Sequence, residues 1–150
     1  MRYSYIYVTF NLLIMQNAIK QTWHFDQAPE EVWEYLTRPE LLEHWLGKMD
    51  FQPFIGHKFH IAGKGGCLIY CEVSEVNPFS RLSYSWQTTS LNDNKLFDST
   101  VVWTLVPKEN GTELQLVHDG FTTIEDFNSH NNGWTTLGKL FVELSNTITK

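Results

Sequence analysis

The sequence predicts an α+β domain of the helix-grip kind, with a curved antiparallel sheet of about six to seven strands wrapped around one long C-terminal helix. Three observations carry this. From Asp50 to His118 short alternating runs are separated by turn residues. After Gly120 and a polar connector, Trp134, Leu137, Phe141, Leu144 and Ile148 recur at three- and four-residue spacing, a broad apolar stripe that must lie on something. Two short helical patterns sit between the first strand-like run and the rest.

Taken in order, Ile19, Trp23 and Phe25 alternate with polar residues and predict the first strand. Asp26 is the expected cap of a helix with Pro29 in its first turn and Glu30 and Glu31 near its positive end. Val32, Trp33 and Leu36 form its apolar side. Pro39 breaks it, because the residue before a proline is pushed from the α region. A second short helix over Glu40–Leu46 buries Leu41, Leu42 and Trp45 and ends at Gly47. Strands are then expected near Met49–Phe54 and at Lys58–Ala62, with Gly63-Lys64-Gly65-Gly66 as a turn. Cys67–Val76 and Arg81–Thr88 follow around Asn77-Pro78, and Leu82, Tyr84 and Trp86 give the clearest alternation in the chain. Ser99–Pro107 and Thr112–His118 flank Asn110-Gly111, a favoured hairpin turn. Links this short make sequence neighbours sheet neighbours. Ser129 and the Asn131-Asn132 pair offer cap oxygens for the last helix.

A chain of 150 residues suits one domain. Its net charge of -6, without a Lys/Arg cluster, argues against nucleic acid. Tyr3–Met15 is apolar but shorter than a membrane span, and no small-residue cleavage site follows it. We read residues 1–14 as an extension from an upstream start, with Met15 as the natural one and residues 15–150 as the domain; an added strand or helix is the alternative. Cys67 and Cys71, four apart on a strand, sit roughly 13 Å from each other and cannot bridge, which points to reduced thiols in the cytoplasm.

The run APEEVWEYLTRPELLEHWL, then FQPFIGHKF, CEVSEVNPFSRLSYSW, TVVWTLVPKENGTELQLVHDGF and HNNGWTTLGKL resembles the START-like (SRPBCC) superfamily, in the branch named after the heat-shock-protein ATPase activator. The resemblance spans Ala18 to about Thr147 and leaves out residues 1–14. It implies a Bet v-like or START-like helix-grip with a hydrophobic cavity between the C-terminal helix and the sheet. It also implies binding of lipids, hormones or polyketide-like molecules, with catalysis in some members. A chaperone contact is a further implication of the branch, weakened because the eukaryotic activators are similar in only one of their domains.

Aromatics at 15%, with six Trp and ten Phe, would line such a cavity. The expected ligand contacts are Trp45, Phe54, Phe59, Tyr70, Tyr84, Trp86, Trp103, His118, Phe121, Trp134, Leu137 and Phe141, with Tyr70, Tyr84 and His118 as polar handles. Gly133 and Gly138 would widen the space, and Gly138 implies the close approach of a strand or a ligand. His118 could serve as acid or base, or instead tie down the connector by hydrogen bonds. His130 is expected at an exposed helix start, within reach of the pocket mouth. No carboxylate pair, nucleophile motif, phosphate loop or metal-ligand spacing stands out, so neither a cofactor nor a metal is expected. The reading is a small hydrophobic-ligand binder. The alternatives are an enzyme acting on such a ligand by cyclisation, dehydration or hydrolysis, and a chaperone-associated ATPase regulator.

Overall fold

The structure, a computed structural model, describes residues 18–62 and 66–148. Residues 1–14 and most of the Gly63–Gly66 turn therefore lie outside the described residues. Alternation of buried and exposed side chains sets the sheet: β1 (Ile19–Phe25), β2 (Lys58–Ala62), β3 (Leu68–Asn77), β4 (Arg81–Thr89), β5 (Leu96–Lys108) and β6 (Gly111–Asp119). All neighbours pair antiparallel, in the order β1-β6-β5-β4-β3-β2. The last five strands form a meander, and β1 returns to pair with β6, with Ile19 opposite His118 and Phe25 opposite Thr112. The β5–β6 hairpin turns at Asn110-Gly111, and Gly111 has φ +138°. A side chain there would run into the Phe25 carbonyl, so the turn and the β1 crossing both require glycine.

Between β1 and β2 lie α1 (Pro29–Thr37) and α2 (Pro39–Leu42). Ala28, not Asp26, holds the N-cap position of α1, and no side chain caps it. Pro29 lacks the N–H that would need a cap, and Glu30 and Glu31 face the positive end of the helix dipole. The second helix is shorter than expected, continuing as turns before Gly47 closes it by donating to the Leu42 carbonyl at 3.0 Å. Met49 and Phe51 are buried, yet the Met49–Phe54 segment is irregular. Lys58–Ala62 already occupies the pairing edge of β3, and Pro53 has no N–H for a ladder.

The long helix, α3 (Ile124–Ile148), begins five residues ahead of Ser129. Thr123 is the cap: its Oγ1 accepts the Asp126 N–H at 3.2 Å and donates to Asp126 Oδ2 at 2.7 Å. The same carboxylate accepts the Ser90 hydroxyl at 2.6 Å and the Leu91 N–H at 2.8 Å, fastening the β4–β5 loop to the helix. Burial opposes ionisation of Asp126, but these three donors outweigh it and hold its pKa below the usual carboxylate range.

Candidate functional site

The sheet is broader than the helix that lies on it, so the two flanks of α3 differ. On the β1 flank, Gln21 Nε2 donates to Asn131 O and Oδ1, both at 2.9 Å, and to Thr135 Oγ1 at 3.1 Å. The Trp23 indole lies where a Cβ on Gly138 would be. That answers what approaches Gly138: a side chain of the first strand fills the space, and none remains for a ligand.

Beneath the helix the large rings pack against one another. Phe141, fully buried, stacks on Trp45 at 4.4 Å between centroids and meets Phe25 at 4.6 Å. Trp103 meets Trp134 at 5.4 Å and Trp45 at 6.1 Å. Their polar atoms are spoken for within this core. Trp45 Nε1 donates to the Tyr35 carbonyl at 2.9 Å, and Trp103 Nε1 donates to Tyr84 Oη at 2.8 Å. Burial pushes the Tyr84 hydroxyl well above its ordinary pKa and lifts the Cys71 thiol to about 12, so neither ionises near neutrality.

On the other flank, toward β2 and β3, the grip does not close. A cleft of about 590 Å³ opens there, floored by Ile61 and Ala62 of the edge strand β2 and Ile69 of β3, walled by Leu46, Trp86, Trp134 and Leu137, and roofed by Ser129, His130, Asn132, Gly133 and Thr136 of α3. Among the expected contacts, Trp86, Trp134 and Leu137 line it. Trp45, Phe59, Tyr84, Trp103, His118, Phe121 and Phe141 are buried in the core instead. Phe54 is 52% exposed on the irregular segment, and Tyr70 is 47% exposed on the outer sheet face, beside Glu72 and Gln87. Of the three expected polar handles, Tyr84 and His118 are buried and Tyr70 points outward, while the polar residues that line the cleft are Ser129, His130, Asn132 and Thr136 of the helix. The missed signal is a run of small and polar residues on one helix face, centred on Gly133, where a Cβ would meet open space.

His118 has a fixed role. Trp134 Nε1 donates to its Nδ1 at 2.9 Å, so in the neutral ring Nε2 carries the proton and donates to Ser99 Oγ at 2.7 Å. The Ser99 hydroxyl passes its own proton on to the Trp86 carbonyl at 2.9 Å. Burial, and then the nearby His130 ring, hold His118 well below the ordinary imidazole pKa. A catalytic base facing a serine must accept the hydroxyl proton, and here the proton direction is reversed. The imidazole is a tie between β5, β6 and α3. His130 lies within the helix rather than at its start and is only partly exposed. Its Nδ1 donates to the Asp126 carbonyl at 2.8 Å, and its Nε2 accepts from Trp86 Nε1 at 3.3 Å. Burial lowers its pKa, against an upward pull from that carbonyl and from the Asp126 carboxylate.

Among the described residues no group of His, Cys, Asp and Glu is placed to hold a metal, and no helix is long and apolar enough to cross a membrane. Both cysteines are free.

Residues 26–145 match the family model described as Activator of Hsp90 ATPase homolog 1-like protein. The chain belongs to this family. Protein MLL2253 from Mesorhizobium loti is 31% identical, with a TM-score of 0.81 over 87% of this chain and 97% of that one. DynU16, described as a protein in the dynemicin biosynthetic locus, shares the fold at 20% identity and TM-score 0.77, over 87% of this chain and 48% of that one. CalU16 from Micromonospora echinospora shares it at 23% identity and TM-score 0.63, over 85% and 71%. No curated protein of described function matches.

Proposed function

We propose that this Hsp90-ATPase-activator-homologue-like protein is a cytoplasmic binding module for a small hydrophobic or aromatic molecule, lipid or polyketide-like, held in the cleft between α3 and the β2–β3 edge. The observation that carries the reading is the cleft itself: about 590 Å³, inside the roughly 300–1,000 Å³ range of small-molecule sites, with apolar walls and a few hydroxyl, amide and imidazole groups on one helix face. The biosynthetic locus of DynU16 lends the polyketide-like class some support through the shared fold. Free Cys67 and Cys71 suit a reducing compartment.

Turnover by His118 is the weaker alternative, since both ring nitrogens are engaged and the Ser99 proton runs away from the imidazole. Native mass spectrometry of freshly purified full-length protein tests the binding reading directly. A co-purifying apolar small molecule, released on denaturation and lost in a Gly133→Leu variant that still folds, is the expected result. A clean apo mass together with unchanged Trp fluorescence across a panel of lipids and aromatic polyketides would overturn it and turn attention to a chaperone contact.

A further inference from the structure

The cleft wall holds one donor and one acceptor that meet over a loose bond. His130 Nδ1 lies 2.8 Å from the Asp126 carbonyl, which can only accept, so Nδ1 carries the proton and Nε2 presents a lone pair. That lone pair faces Trp86 Nε1 at 3.3 Å, longer than the ordinary range for a bond donated by N–H. Each ring has aromatic neighbours. Trp86 packs on Trp134 at 5.3 Å and His118 at 5.4 Å, and His130 packs on Phe121 at 4.9 Å. Next to the pair, Gly133 leaves open space, and no described residue of the lining carries a charge.

Resting on the ligand-binding reading above, we propose that the Trp86–His130 pair is the polar recognition point of the cleft and selects an uncharged hydroxyl on a ring system, a phenol or neutral alcohol, over a carboxylate. A hydroxyl both accepts and donates, so by parting the pair it can accept from Trp86 Nε1–H and donate to His130 Nε2, replacing one long bond by two. A carboxylate only accepts: its oxygens would face the Nε2 lone pair, with no cation among the described lining residues to offset the lost hydration. The flat body of the ligand then lies over Gly133, against Ile61 and Ile69.

Calorimetric titration of the full chain near neutral pH with 2-naphthol, 2-naphthoic acid and naphthalene tests this. The expected order places 2-naphthol about tenfold tighter than either of the others, the effect of one well-placed hydrogen bond. In His130→Leu and Trp86→Phe, each checked for folding by circular dichroism, naphthol should bind no more tightly than naphthalene does to the same variant. Naphthoate binding as tightly as naphthol, or a naphthol preference surviving in both variants, overturns the proposal. If naphthalene binds and naphthol gains nothing, the hydroxyl assignment alone falls; if none of the three binds, the cleft reading falls with it.

Discussion

The two flanks of the long helix are made from the same sheet and end differently. Toward β1, Gly138 admits the Trp23 indole and Gln21 spans to Asn131 and Thr135, so the helix is sewn to the sheet edge. Toward β2, Gly133 admits nothing, and Leu46, Ile61 and Ile69 stand back across the cleft. A mid-helix glycine costs about 1 kcal/mol relative to alanine. At position 138 the packing of a tryptophan offsets that cost. At position 133 nothing described in the protein does, and this is the face to which the proposed ligand is assigned.

Substituting the two glycines breaks or sharpens this contrast most directly. Gly138→Leu should destabilise the fold by about 3 kcal/mol or more, because the side chain and the Trp23 ring cannot share one volume. Pairing it with Trp23→Ala should recover a large part of the loss, and urea denaturation of the four members of the cycle measures the coupling. Additive losses would show that Trp23 is not what Gly138 accommodates.

The tie that joins the helix to β5 and β6 is titratable, which gives the second test. His118 and His130 have folded pKa values below the ordinary imidazole value, His118 far below, from burial first in each case. Between the folded and unfolded values the unfolded chain takes up a proton that the folded chain refuses. Stability is therefore complete above the unfolded pKa near 6.5 and falls as pH drops below it, by up to about 1.4 kcal/mol per pH unit for each histidine, until the folded pKa is reached. Urea midpoints between pH 8 and pH 5 should show this slope. A His118→Gln variant should be less stable at pH 8 yet lose less on acidification; an unchanged slope would remove His118 from the account.

Gly133 supplies the opposite sign. Gly133→Ala should raise stability by about 0.5–1 kcal/mol, as propensity alone dictates where a methyl meets open space. Thermal denaturation checks it. A loss would mean that the cleft closes on Gly133 in solution.

The same contrast explains what the chain discloses about itself. Regular alternation is a local property, so Leu82, Tyr84 and Trp86 announce β4, and Asn110-Gly111 announces the β5–β6 hairpin. The stripe Trp134, Leu137 and Phe141 announces α3, but its start does not follow from Ser129. The cap is Thr123, whose partner Asp126 reads in sequence as one more polar connector residue and is in fact buried by contacts with Ser90 and Leu91. Met49 and Phe51 alternate like a strand and are buried, yet have no edge to pair with, since pairing depends on residues distant in the chain. The site was harder for a related reason. Ring size selects Trp45, Trp103 and Phe141, and large rings fill space; the gap lies where Gly133, Ala62, Ser129 and Thr136 leave it unfilled. Which glycine is filled and which is open depends on Trp23, more than a hundred residues earlier.

Gln21 discriminates between two ways the closed flank could be held. Its amide nitrogen donates to the Asn131 carbonyl and side chain and to Thr135 Oγ1, at a site that is only partly buried. Partly hydrated bonds of this kind contribute about 0.5–1.5 kcal/mol net, because water replaces them when they are cut. If the flank is held chiefly by the Trp23–Gly138 fit, Gln21→Ala should cost no more than that and leave the helix where it is. Hydrogen exchange at the amides of residues 131–138 should then be nearly unchanged. If those amides instead exchange freely in Gln21→Ala, the stitch rather than the indole holds α3 against β1. The helix could then rock toward β2, and the cleft volume would be one state of a moving wall rather than a fixed property of the fold.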